Sequence, residues 1–146
     1  MIDKQRVCPK LSQLRERRDL LRQLAATPRP LFLADRIKRS AAERELQVCI
    51  EICLDIGHHL IAGSGLPRPA EYRDVFRILG EAGVISADLA SRLETMASFR
   101  NRLVHGYAEV DPERVYDFLQ HECADFDEFA RVLAAAAKQS GSQTDG

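Results

Sequence analysis

The stretch that decides the fold runs from Leu46 to Ile61 and has the sequence LQVCIEICLDIGHHLI. At 3.6 residues per turn, its apolar residues cover nearly the whole circumference of a helix. Relative to Gln47, the polar residues Glu51, Asp55 and His58 lie about 40°, 80° and 20° around the axis, in one narrow stripe. We expect such a helix to be central, with one face packed on the domain core and another on a partner protomer.

The helical period continues on both sides of this stretch. The five predicted helices cover residues 3–25, residues 31–62, residues 71–81, a segment that Ser86 caps and that carries Leu89 to Phe99, and residues 111–138. Short connectors between helices are typical of an up-and-down bundle. We therefore predict an all-α, single-domain bundle of about five helices over residues 1–138, which dimerises, and a polar disordered tail over residues 139–146.

A few residues predict where the helices begin and end. Pro9 predicts that the regular part of the first helix starts there, and Pro28 and Pro30 predict a linker after it. Gly83 is expected to break the third helix, whose buried side is predicted to carry Tyr72. Asp followed by Pro at positions 111 and 112 is a typical helix start.

Length and composition indicate a soluble globular domain. The chain has 146 residues, of which 45% are hydrophobic and 29% charged, enough for one domain with a core. No unbroken run of about 18 apolar residues and no secretory leader pattern occur, so we expect a cytoplasmic protein. The four cysteines do not have the spacing of a zinc site, and we expect reduced thiols that serve as small buried side chains.

Charge is distributed unevenly along the chain, although the formal net charge is only −1. Residues 1–44 carry 12 Lys and Arg against 5 Asp and Glu, a balance of +7, whereas residues 45–146 carry 9 against 17, a balance of −8. Two interpretations are open: the basic region attracts a nucleic acid, or the two regions neutralise each other within the fold or across a dimer.

The candidate chemistry lies between Phe99 and Tyr107, in the sequence FRNRLVHGY. His105 is the natural general acid or base near neutral pH. Arg100 offers a fixed positive charge and a planar set of donors that matches phosphate oxygens, and Asn101 can orient a hydroxyl or a phosphate. Together they suit attack of a ribose 2′-hydroxyl on the adjacent phosphorus, a scheme that needs no metal.

The spacing of these residues raises a geometric question. Five positions advance about 140° around a helix, so Arg100 and His105 would not share a face of one regular helix, whereas Arg102 and His105 would. Either the helix loosens before Gly106, or the site is composite and two copies of the segment meet across a two-fold axis.

This segment resembles the Arg-polar-x-x-x-His motif of the HEPN superfamily, and its His-x-Tyr ending looks like the HepT branch of ribonuclease toxins. The resemblance covers about residues 3–138. It implies a homodimer whose paired motifs face a cleft between protomers, and metal-independent RNA cleavage through a 2′,3′-cyclic phosphate without a cofactor. It also implies that His105 moves protons, that Arg100 stabilises the phosphoryl oxyanion, that Asn101 orients the phosphate or the histidine, and that Arg102 is an auxiliary cation.

The resemblance further implies a role for Tyr107. In the HepT branch this tyrosine accepts AMP groups from a nucleotidyltransferase antitoxin of the MntA type, which would block substrate entry. The alternative is a tyrosine that anchors the loop by packing its ring. The acidic residues that follow, from Glu109 to Asp117, are either a surface for that partner or an ordinary helix start that suits the helix dipole.

The polar stripe on the central helix also has two interpretations. Carboxylates and imidazoles four residues apart can share a metal ion, but the second Glu-x-x-His of di-iron bundles is absent. We favour a stripe that pairs with the motif arginines or faces the dimer cleft, with Asp55 and His58 as auxiliary site residues. The alternative function for the whole chain is a non-catalytic, nucleotide-binding HEPN partner of a nucleotidyltransferase.

Overall fold

The computed structural model describes the backbone of residues 2–105 and 110–144 and the side chains of residues 2–103 and 110–139. The described residues form helices and no strand, which confirms the all-α prediction. There are seven described helices rather than about five: α1 (Lys4–Ala25), α2 (Arg29–Ala34), α3 (Arg36–Gly63), α4 (Asp74–Glu81), α5 (Ala87–His105), α6 (Pro112–His121) and α7 (Ala124–Thr144).

The first helix has the predicted bounds, but its regular part starts before Pro9. Asp3 caps α1 by accepting a hydrogen bond from the backbone N–H of Gln5, and Pro9 lies inside the helix. An interior proline removes one backbone donor and usually breaks a helix. Here Val7, Leu11 and the other apolar residues of α1 are buried on both sides of the proline, and this packing keeps the helix continuous.

The long helix predicted over residues 31–62 is two helices. Asp35 separates α2 from α3 in an extended conformation, and its carboxylate accepts hydrogen bonds from the backbone N–H groups of Ile37 and Lys38. A carboxylate at this position caps a new helix, because it satisfies donors that have no partner in the first turn. The predicted linker was also too long, since Pro28 and Pro30 lie at the start of α2.

The central position of α3 is confirmed. Eleven of its residues are buried, from Ala42 to Ile61, and it packs on α1, α4 and α5. By length and composition α3 could also cross a membrane, although 56% of its most apolar window is buried inside the protein. The core helix of a helical bundle meets the same criterion.

The connection from α3 to α5 follows the predicted signals with one exception. Gly83 has a positive φ of 78° after α4, and the hydroxyl of Ser86 accepts a hydrogen bond from Leu89 N at 3.1 Å. The exception is Tyr72, which lies before α4 and not on its buried side. Its side chain is 50% exposed, because α4 begins at Asp74 rather than near residue 71.

The predicted last helix is also divided in two. Asp111 caps α6 and Pro112 is its first residue, as predicted, but the chain turns at Glu122 and Cys123 before α7. The helix α7 ends at Thr144, past the predicted end near residue 138. The division into a domain over residues 1–138 and a disordered tail over residues 139–146 stays a prediction.

Ion pairs join the basic and the acidic regions of the chain. Five of those between described residues link residues 1–44 to the remainder: Lys10–Asp55 at 3.4 Å, Arg17–Glu45 at 2.8 Å, Arg18–Asp127 at 3.2 Å, Arg22–Asp127 at 2.9 Å and Arg29–Asp117 at 2.5 Å. Neutralisation within the fold therefore accounts for part of the uneven distribution of charge.

Candidate active site

The motif arginine is held between two helices. Arg100, on α5, donates from Nη2 to Glu51 Oε1 on α3 at 3.1 Å, and its side chain is only 14% exposed. The same Glu51 oxygen accepts a hydrogen bond from Gln47 Nε2 at 3.2 Å. The polar stripe on α3 thus pairs with a motif arginine, which is one of the two alternatives expected from the sequence.

An aromatic ring completes the surroundings of this arginine. The guanidinium of Arg100 lies over the ring of Tyr72, 4.9 Å from its centroid, a distance at which a cation is attracted to the ring face. The Nη1 atom is 3.4 Å from Oδ1 of Asn101. The Nε atom is buried and has no hydrogen-bond partner in the part of the chain that the structure describes.

A cleft of about 1250 Å³ opens beside this arrangement. Among the residues described, those that line it come from the end of α3, the segment before α4, the last turns of α5 and the start of α6: His58, Pro69, Ala70, Glu71, Tyr72, Arg73, Ser98, Phe99, Asn101, Arg102, Val110, Asp111 and Arg114. Three predicted site residues, His58, Asn101 and Arg102, therefore share one cleft. Arg100 does not line it but contacts two residues that do, Tyr72 and Asn101.

The two auxiliary residues on α3 have different surroundings. His58 contacts Tyr72 edge to face, with ring centroids 6.3 Å apart, and it lines the cleft. Asp55 is exposed and pairs with Lys10 on α1 at 3.4 Å. Because Glu51 and Asp55 bind different cations, the stripe does not converge on one point as the ligands of a metal ion would.

The remaining predicted residues are only partly described. His105 is the last residue of α5, and only its backbone is described. Its side chain and the whole of Tyr107 lie outside the described part of the chain. The helix α5 continues through His105, so it does not loosen before that residue. Arg100 and His105 are then about 140° apart around one helix, which favours the composite alternative.

Sequence reasoning missed two residues of the arrangement. Glu51 was part of the stripe but was not chosen as a site residue, although a carboxylate on an otherwise apolar helix needs a partner when the helix is central. Tyr72 was assigned to the core. No local signal distinguishes a tyrosine that packs inward from one that lies under an arginine 28 positions later in the chain.

Comparisons with known proteins identify the family of the chain. The family model described as ribonuclease HepT-like matches residues 13–133. The mRNA nuclease HepT of Shewanella oneidensis is 36% identical over 90 residues, which are 62% of this chain and 68% of that protein. The tRNA nuclease HepT of Aphanizomenon flos-aquae is 27% identical over 85 residues, which are 58% of each chain.

The fold has a solved relative as well. A tri-AMPylated HEPN toxin of Shewanella oneidensis, in complex with an MNT antitoxin, superposes with a TM-score of 0.83 and 28% sequence identity over 92% of this chain and 99% of that one. The matched family region includes α3, α5 and the cleft between the segment before α4 and the start of α6. The chain belongs to the HepT-like family of ribonucleases.

Proposed function

We propose that the protein is a metal-independent endoribonuclease toxin that cleaves RNA at a composite site between two protomers. The observation that carries the proposal is the cleft that Asn101, Arg102 and His58 line together with Tyr72, the residue whose ring lies under Arg100. The names of the nuclease relatives support the same reaction class.

In the proposed reaction, the ribose 2′-oxygen attacks the adjacent phosphorus while its proton passes to a base. The bond from phosphorus to the 5′-oxygen breaks, the leaving oxygen takes up a proton, and a 2′,3′-cyclic phosphate remains. His105 carries protons in one or both transfers. Arg100 and Arg102 stabilise the negative charge that develops on the phosphoryl oxygens, and Asn101 orients the phosphate.

The direction in which the motif residues point supports a composite site. Arg100 and His105 lie on different faces of a continuous α5, so one copy of the helix does not present both to the same phosphate. We therefore propose a homodimer with paired motifs.

We propose that a nucleotidyltransferase antitoxin of the MntA type is the partner and that Tyr107 is its target. The phenolic oxygen would attack the α-phosphorus of a nucleoside triphosphate and release pyrophosphate, which leaves AMP on the tyrosine. The complex of the Shewanella oneidensis toxin with its MNT antitoxin supports this partner. The added phosphates would repel RNA and compete for Arg100 and Arg102. We propose a cytoplasmic location, where RNA and nucleoside triphosphates are available.

The experiment that tests the function is RNA cleavage by purified protein in EDTA, beside Arg100→Ala and His105→Ala. Arg131→Ala and His121→Ala serve as matched controls, because both side chains are exposed and lie outside the cleft. We expect the wild type and both controls to leave 2′,3′-cyclic phosphate ends. We expect the two site variants to cleave at least 100-fold more slowly. This is the loss typical of a missing acid–base group for His105 and of a missing charge-stabilising donor for Arg100.

Cleavage by His105→Ala at the wild-type rate would overturn the assignment. So would a failure of dimeric wild type to cut several RNAs when intact mass finds no AMP on the protein. That result would favour a non-catalytic partner of the nucleotidyltransferase. Incubation with the antitoxin and ATP should add AMP to wild type and not to Tyr107→Phe.

A further inference from the structure

The cleft carries features that the proposed chemistry does not use, among them Tyr72 and Arg114. The segment from Pro69 to Arg73 lines it, as do Arg102 on α5 and Arg114 at the start of α6. Its volume, about 1250 Å³, exceeds the range of about 300–1,000 Å³ that is typical of small-molecule sites. The cleft can therefore hold more than the reacting phosphate.

The wall before α4 presents an aromatic ring that is fixed in place and open to solvent. Tyr72 is 50% exposed, while Arg100 covers part of its ring and His58 contacts it edge to face. An exposed tyrosine held by two neighbours offers a flat apolar surface at little cost in side-chain entropy. Unpaired nucleobases stack on surfaces of this kind in proteins that bind single strands.

The side of the cleft formed by α5 and α6 carries two arginines, beside the carboxylate of Asp111. Neither Arg102 nor Arg114 forms a salt bridge with a described carboxylate, and the guanidinium of Arg114 lies 5.9 Å from the centroid of the Phe99 ring. Arg73, in contrast, pairs with Glu71 at 2.9 Å. Arginines of this kind are suited to bind phosphate oxygens through paired N–H donors.

We propose that this cleft is a nucleotide subsite, in which an unpaired base stacks on Tyr72 and its phosphates bind Arg102 and Arg114. The subsite rests on the proposed function, since it places one nucleotide of the RNA beside the scissile phosphate. Stacking accepts every base, so this subsite selects for an unpaired nucleotide more than for a particular sequence. A base and phosphates are also present in an AMP group attached to Tyr107, which could occupy the same subsite. The experiment therefore tests RNA and AMP separately.

The test measures binding rather than cleavage. A dye-labelled, unpaired 2′-O-methyl RNA lacks the nucleophile and remains intact, and its anisotropy reports the Kd for the dimeric protein. AMP, added as a competitor in the second arm, reports binding of a free nucleotide. The variants are Tyr72→Ala, Tyr72→Phe and Arg102→Ala, and Arg131→Ala on α7 is the control. A thermal melt of each variant checks that it is folded.

We expect Tyr72→Ala to weaken RNA binding by about tenfold or more, the loss of one base stack, and Tyr72→Phe to stay within about twofold of the wild type. Arg102→Ala should lower the slope of log Kd against log salt by about 0.7, the value for one phosphate contact on a single strand. Arg131→Ala should match the wild type.

The outcomes separate the subsite from the catalytic proposal. If RNA binding depends on Tyr72 but the protein does not cleave RNA, the subsite proposal is supported and the catalytic proposal is rejected. If Tyr72→Ala binds RNA as the wild type does but AMP no longer competes, the nucleotide subsite is retained. Its occupant is then the AMP group on Tyr107. If folded Tyr72→Ala binds both RNA and AMP as the wild type does, the subsite is wrong, even if the wild type cleaves RNA.

Discussion

Arg100 and Glu51 form an ion pair that ties the motif helix to the core helix: Nη2 of the arginine lies 3.1 Å from Oε1 of the glutamate. The pair is partly shielded from water, since the arginine side chain is 14% exposed and the glutamate side chain 36%. Gln47 donates to the same carboxylate oxygen. Glu51 therefore limits the directions in which the guanidinium can point, and Tyr72 limits them further through its ring.

Replacing Glu51 should affect both stability and cleavage. Glu51→Ala leaves the guanidinium of Arg100 shielded from water without its carboxylate, and we expect a loss of about 1–2 kcal/mol, in the range for a hydrogen bond to a charged group. Urea unfolding measures this loss. We also expect cleavage to slow by about tenfold, because Arg100 then occupies several orientations.

The matched control for this prediction is Glu16→Ala on α1, where the glutamate is exposed. Glu51→Gln distinguishes the effect on the free energy of unfolding from the effect on the orientation of Arg100. The amide keeps a hydrogen-bond acceptor for the guanidinium but removes the negative charge. Wild-type rates in folded Glu51→Ala would show that the ion pair does not position the arginine.

Gly57 allows α3 and α4 to approach closely. A Cβ atom built on Gly57 would lie 2.4 Å from Cγ1 of Val75, a β-branched side chain that cannot easily move aside. We expect Gly57→Ala to lower the free energy of unfolding by about 1–3 kcal/mol, as overpacked cores do. Gly63→Ala is the control on the same helix, because a Cβ there meets no atom within 4 Å. That variant should be neutral or more stable by up to about 1 kcal/mol. Equal stability of the two variants would contradict the close packing.

Three of the four cysteines should be inert in the native protein. Cys49, Cys53 and Cys123 are at most 1% exposed, whereas Cys8 is exposed. Burial raises the pKa of the Cys49 thiol to about 12 and that of Cys123 to about 12, and thiols react as thiolates. We expect a colorimetric thiol reagent at pH 8 to label one thiol quickly, and all four after unfolding. Cys8→Ala should abolish the fast phase; rapid labelling of more than one native thiol would contradict the packing.

The same buried thiols predict a loss of stability in alkali. Because the folded thiols ionise near pH 12 and an unfolded thiol near 9, the unfolded state releases its protons first as the pH rises. The stabilisation is complete below about pH 9 and falls towards pH 12, by about 1.4 kcal/mol per pH unit for each such thiol. Urea midpoints between pH 8.5 and about 10.5 measure the slope. Cys49→Ala should have a shallower slope than the wild type, and Cys8→Ala should keep the wild-type slope; identical slopes for both variants would refute the assignment.

The sequence indicated those residues of the candidate site that are recognisable by type. It missed those whose place depends on packing between distant segments. The motif from Arg100 to His105 is visible because its residues are adjacent in sequence and chemically distinctive. The places of Glu51 and Tyr72 depend on how α3 and the segment before α4 pack on α5. Packing joins residues that are 49 and 28 positions apart, and local periodicity contains no information at that separation.

The helix boundaries, too, were predicted correctly where they depend on local signals and wrongly where they depend on packing or on a cap that was overlooked. Ser86, Gly83 and the Asp111–Pro112 step acted as predicted because capping and positive φ are local properties of the backbone. Pro9 did not interrupt α1, because burial on both sides of it outweighs the lost hydrogen bond. Asp35 did interrupt the long predicted helix, because its carboxylate caps a new helix start.

The sequence by itself determined the helical class and the central place of the apolar stretch from Leu46 to Ile61, since both follow from local composition and periodicity. It also supplied the candidate residues for the chemistry. Only the tertiary structure decided that the stripe on α3 separates, with Glu51 bound to Arg100 and Asp55 to Lys10. Residues of α1, of α5 and of the segment before α4 all contact the stripe. Each carboxylate pairs with the cation that the packing of the helices brings within reach.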